Sequence, residues 1–156
     1  FMRPVFLFLA LVVASTALRA AGPEFVRVWP GWRPAESFDR ISEYFDGQEN
    51  TGKNSVLRTQ PASRAGYYFL VRLKKGTTAP EGSKFVLTVI GPDAPEPKVF
   101  TFPVTGAPPR VFELGLTGSD WPNRETHPVA GKLELLSAEG ASLAETQSFL
   151  WAMPAK

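Results

Sequence analysis

The sequence predicts an all-β sandwich of about seven or eight strands, with one short helix near its N-terminal side and a targeting segment ahead of it. Three observations point there. Short apolar runs with period-2 alternation recur along the chain, as half-buried strands require. The 15 prolines and 13 glycines among 156 residues fall mostly between those runs, where turns belong. Helical patterns do not alternate with the strands, as a parallel α/β sheet would demand.

The first element is not part of the sandwich. Met2-Arg3-Pro4 carries a single positive charge, and Val5 to Val13 is unbroken apolar sequence. Small residues follow, Ala14-Ser15-Thr16-Ala17, then Leu18-Arg19-Ala20. This is the charged, apolar and small-residue order of a signal peptide. The apolar run is about half the ~20 residues that span a bilayer. Residues 1–20 are therefore expected to be cleaved, after Ala17 or Ala20, and the protein to be exported to a bacterial periplasm or the extracellular space, with no stable membrane span left. With no cysteine, a lipid anchor on an N-terminal cysteine is excluded, and so is a disulfide. A mature chain of this length buries enough surface to fold without such staples.

Phe25 to Trp29 reads as a short extended run stopped by Pro30-Gly31. Pro34 opens a helix over Ala35–Phe45, with Phe38, Ile41 and Phe45 on one face and Glu36, Arg40 and Glu43 on the solvent face. Asp46-Gly47 ends it, and a polar loop runs to Asn54. Ser55–Thr59 is a short strand. Gly66–Leu73 is the strongest one: Tyr67, Phe69, Val71 and Leu73 point one way, and Tyr68, Leu70 and Arg72 the other. Lys84–Ile90 follows, with Phe85, Leu87 and Val89 on one face. The prolines of Pro92–Pro97 make a turn. Lys98–Phe102 and Arg110–Leu116 are further strands, the second with Phe112, Leu114 and Leu116 alternating. After a loop from Thr117 to Pro128, Gly131–Leu136 and Ser142–Trp151 form a hairpin around Gly140.

This succession of strands with its closing hairpin resembles an immunoglobulin-like or fibronectin-III-like sandwich over roughly residues 64–152. The resemblance is architectural, because the Cys…Trp…Cys spacing of true immunoglobulin domains is absent. It implies a sandwich body over 64–156, with residues 21–63 as an N-terminal extension, a short strand and the helix, packed on it within the same domain.

Charge narrows the function. The chain carries 17 basic and 15 acidic residues. Arg3 and Arg19 lie in the targeting segment, so a cut after Ala20 leaves a neutral domain. No basic excess remains to follow a phosphate backbone, and nucleic acid is not an expected partner.

Catalytic chemistry finds little to work with. The single histidine, His127, lies in a loop, so a two-histidine metal motif is impossible. Asp46–Asn50 and Ser119-Asp120 are oxygen-rich but lack the calcium-loop pattern. No serine sits in a nucleophile elbow, and no glycine-rich phosphate loop exists. No cofactor or metal is expected, and the protein is not expected to be an enzyme. A small hydrolase, built on His127 or on two facing carboxylates, is the remotest reading.

The aromatic residues stand out. Trp29 and Trp32 bracket Pro30-Gly31, Trp121 stands in the long loop, and Trp151 ends the last strand. Such rings either cap the sandwich core or serve as contact points for a sugar or a partner. Arg58 and Arg64, with Arg72 and near Tyr67 and Tyr68, form a second patch, whose ordinary use would be cross-strand ion pairing. Trp29, Trp32, Trp121, Arg58 and Arg64 are thus the candidate binding residues. The expected role is a non-catalytic accessory or structural protein that binds an envelope or extracellular protein. The alternative is a glycan-binding module using the loop tryptophans, favoured by an exposed coplanar row of rings.

Overall fold

The alternation of Tyr67, Phe69, Val71 and Leu73 places these side chains in the core, and the rest of the sandwich assembles around that face. The computed structural model describes residues 22–49, 51–106 and 109–148. The expected targeting segment 1–20 and Trp151 lie outside them. Eight strands are described: β1 (Phe25–Arg33), β2 (Ser55–Arg58), β3 (Gly66–Leu73), β4 (Lys84–Ile90), β5 (Lys98–Pro103), β6 (Val111–Thr117), β7 (Ala130–Leu136) and β8 (Ser142–Gln147). They form two four-stranded sheets, β1-β3-β6-β2 and β5-β4-β7-β8. Every pairing is antiparallel except β2 with β6.

The all-β two-sheet reading stands. Phe85, Leu87 and Val89 from β4 meet Phe112, Leu114 and Leu116 from β6, with Leu133 and Leu135 of β7 beside them. The Phe85 and Phe112 rings lie 4.8 Å apart. Each such fully buried side chain contributes ~1.5–3 kcal/mol relative to exposure. The β7–β8 hairpin closes as expected, with the Ser137 N–H donating to the Ala141 carbonyl at 2.8 Å and the Gly140 N–H to the Ser137 carbonyl at 2.9 Å.

The N-terminal region differs from expectation in three respects. Pro30 does not stop the first strand; it pairs in register with Phe69. β1 is an edge strand, where a missing backbone donor can face away from the sheet. A register shift between Phe25 and Arg27 lets both Phe25 and Val28 pack on the core, and turns Arg27, Trp29, Gly31 and Arg33 to the outer face. The single helix over Ala35–Phe45 is broken. A 3-10 turn, Ala35–Phe38, is followed by Asp39 and Arg40 in extended conformation, and only then by α1 (Ile41–Asp46), capped by Gly47 at φ 69°. The break destroys the common face: Phe38 is buried while Phe45 is 82% exposed and Tyr44 90%. The N-terminal segment also does more than pack against a finished body, since β1 and β2 are the two edge strands of the first sheet.

That last point sets the site. β1 lies at one edge and β2 at the other, so the chain between them, residues 34–54, must cross the sheet. It crosses on the outer face as a strap, resting on Tyr68 of the central strand β3 through Phe38, with ring centroids 4.7 Å apart.

Candidate functional site

The register lays out the outer face of the first sheet in rows. Across β1, β3 and β6, Gly31 stands opposite Tyr68 and Tyr68 opposite Gly115; Trp29, Leu70 and Glu113 form the next row, and Arg27, Arg72 and Val111 the last. The strap covers the Tyr68 end and leaves the Arg72 end open.

Under the strap, Tyr68 is 2% exposed. Its ring lies on Gly115, where any Cβ would run into it. Its hydroxyl donates to the Arg64 carbonyl at 2.6 Å and accepts from Arg58 Nε at 2.7 Å. Arg58, with a side chain only 7% exposed, grips Glu49 with both terminal nitrogens at 2.7 and 2.6 Å. Arg64 binds Asp39 and Glu43, each at 2.9 Å. Arg33 donates to Glu113 at 2.7 Å, and Asn54 to the other oxygen of that carboxylate at 3.1 Å. Phe38 sits between two guanidinium groups, Arg33 at 3.8 Å and Arg58 at 4.8 Å from its ring centre. Burial opposes the charge on Arg58, but its bonds to Glu49 and Tyr68 outweigh that and hold its pKa above the ordinary arginine value. The hydrogen bond from Arg58 holds Glu49 below the usual carboxylate range against the opposing effect of burial. Burial pushes Tyr68 up, with Arg58 pulling the other way.

At the open end, Arg27 and Arg72 are direct cross-strand partners, both exposed. The Arg27 guanidinium lies 4.4 Å, and that of Arg72 5.5 Å, from the centre of the Trp29 ring. Between Trp29 and Arg33 on the same strand stands Gly31, which has no side chain and open space above it. The gap is a groove of about 330 Å³ on Tyr68 and Leu70, with Trp29 on one side and the Arg33–Glu113 pair on the other.

The candidate residues are thus scattered. Trp29 lines the outer groove. Trp32, three positions along the same strand, faces the opposite side and packs against the core, as period 2 dictates. Trp121 is buried at 6%, 5.5 Å from the Tyr67 ring, with its indole N–H donating to the Thr126 carbonyl at 3.2 Å. Arg58 and Arg64 come together under the strap, on carboxylates of the chain itself. Arg72 stands apart from them, beside Trp29.

His127 meets Tyr67 edge-on at 5.9 Å. Among the described residues no group of three or more His, Cys, Asp or Glu side chains could hold a metal ion, and no helix is long and apolar enough to cross a membrane. A second depression, of about 230 Å³, opens between β1 and β8 over Tyr67, Phe69 and Leu133.

Sequence reasoning passed over Arg27, Gly31, Arg33 and Glu113. Each is unremarkable along the chain, and what makes them a set is pairing between β1, β3 and β6. The usable signal was the alternation Arg27-x-Trp29-x-Gly31-x-Arg33, a row of solvent-side positions with a gap in it.

No protein-family model, curated protein or solved structure matches this chain.

Proposed function

We propose that this protein is a non-catalytic binding module that recognises another protein through the open end of its first sheet, with Trp29 as the anchor. The observation that carries this reading is the Arg27–Trp29–Arg72 group, two exposed arginines on a half-buried indole, beside the groove over Gly31. Tryptophan, tyrosine and arginine are the residue types that dominate binding energy at protein interfaces. A sugar platform is less well supported. The three described tryptophans share no exposed face, and a guanidinium 4.4 Å over the Trp29 ring takes the place a stacked pyranose would need.

The strand order supports an immunoglobulin- or fibronectin-III-like sandwich. β1, β3 and β6 fall where the A, B and E strands of such folds lie, and β5, β4, β7 and β8 where C′, C, F and G lie. β2 takes the edge beside E, but comes early in the chain and runs parallel to its neighbour. Export follows from the signal-peptide pattern of residues 1–20, which makes the partner an envelope or extracellular protein. Mass spectrometry of the exported protein should give a chain starting after Ala17 or Ala20; one starting at Met2 would refute cleavage.

Affinity capture from the envelope fraction of the producing cell tests the binding role. The wild-type protein should retain a reproducible protein that Trp29→Ala does not. Equal retention by both, or retention by neither, would overturn the reading.

A further inference from the structure

We infer that the open end of the first sheet docks an acidic polypeptide segment, which places a carboxylate between Arg27 and Arg72 and a neighbouring apolar side chain in the groove over Gly31. This rests on the binding-module reading above and names the chemistry of its partner.

The first argument is charge. Arg27 and Arg72 face each other directly across β1 and β3, and like charges so placed repel. Arg33 and Arg58 on the same sheet, and Arg64 in the loop before β3, each meet a carboxylate. Among the described residues Arg27 and Arg72 make no ion pair. Two adjacent guanidinium groups with no counter-charge form a site for an anion supplied from outside.

The second argument is preorganisation. Both groups are gathered on one indole, at 4.4 and 5.5 Å. A guanidinium packed on a ring keeps its in-plane N–H fork available for bidentate bonding to a carboxylate. Holding two long side chains on a common ring lowers the ordering cost of binding.

The third argument selects a polypeptide. The groove beside Trp29 is mainly apolar, and the polar groups at its far side are already paired, Arg33 to Glu113 and Asn54 to Glu113. Sugar hydroxyls would find few unengaged donors there. An extended peptide presents same-side residues ~7 Å apart, so it can offer a carboxylate and an apolar side chain in succession. Two isolated arginines on a near-neutral domain do not make a phosphate track.

Fluorescence anisotropy with labelled peptides tests this on the full chain. A short peptide of Glu-Ser-Leu-Ser repeats (the Glu-Leu peptide), which when extended sets Glu and Leu in turn on one face, should bind. Its Gln-Leu and Lys-Leu counterparts, with Gln or Lys in place of Glu, should bind about tenfold more weakly or worse. The double variant Arg27→Ala/Arg72→Ala should lose about tenfold in affinity for Glu-Leu and none for Gln-Leu. Gly31→Val should block the groove without harming the fold, because open space lies above that position. Equal binding of the Glu-Leu and Gln-Leu peptides, no binding of either, or indifference to Arg27→Ala/Arg72→Ala would overturn the inference. So would preferential binding of polygalacturonate. The peptide series needs no protein variant, so it decides the matter even if a variant misfolds. A partner captured through Trp29 by a protein that ignores the acidic peptide would leave the binding-module reading standing and sink this one alone.

Discussion

At its Tyr68 end, the outer face of the first sheet is roofed by the strap, and Arg33, Arg58 and Arg64 each meet carboxylates there. At its Arg72 end the same face is bare, and two arginines oppose each other across the strands. The two ends use similar residues, arginine against an aromatic ring, for different purposes. Under the strap Arg58, whose side chain is only 7% exposed, needs a partner, because an unpaired buried charge costs several kcal/mol. Where water has access, the charge is hydrated and the pair can stand unpartnered. The covered end therefore belongs to the stability of the protein, and in the proposed reading the open end is the part left for binding.

This contrast can be tested from its strongest point downwards. Tyr68→Ala removes the ring on which the strap rests and should cost ~3–5 kcal/mol in chemical denaturation; Tyr68→Phe, which loses only the hydroxyl, should cost ~1 kcal/mol. Arg58→Met leaves Glu49 without its main partner and should cost about 2 kcal/mol, less than a fully buried pair because Glu49 retains some solvent contact. Stability should also fall in acid. The folded pKa of Glu49 is lowered, so its contribution is complete above the unfolded value and disappears as the pH falls through the folded one. Glu49→Gln should flatten that part of a stability–pH profile. Arg27→Ala/Arg72→Ala should stay within ~0.5 kcal/mol of wild type, because it relieves repulsion at an exposed site. A loss there as large as that of Arg58→Met would erase the distinction between the two ends.

How far the sequence revealed this layout depends on how local each feature is. The alternation of β3, β4 and β6 is written in consecutive residues, and the core follows directly from Tyr67, Phe69, Phe85 and Phe112. Phe45 misled, because the 3.6-residue period was read across Asp39-Arg40, where the backbone is extended. Trp32 and Trp29 could have been separated by period 2 had the strand been continued through Pro30. The ion pairs under the strap were not legible at all. Arg33 and Glu113 are 80 positions apart, and only the pairing of β1 and β6 with the central strand β3 brings them together.

The parallel pairing of β2 with β6 also orders events in time. β3, β4 and β5 lie between the two in the chain, so β2 has no neighbour to join until β6 has been laid down. Closing so long a loop is slow compared with forming a hairpin. On a chain that emerges from its N-terminus, the β1–β3 pair can form early, whereas the strap stays slack until the sixth strand arrives. The seal over Tyr68 can then close only once β6 has joined the sheet.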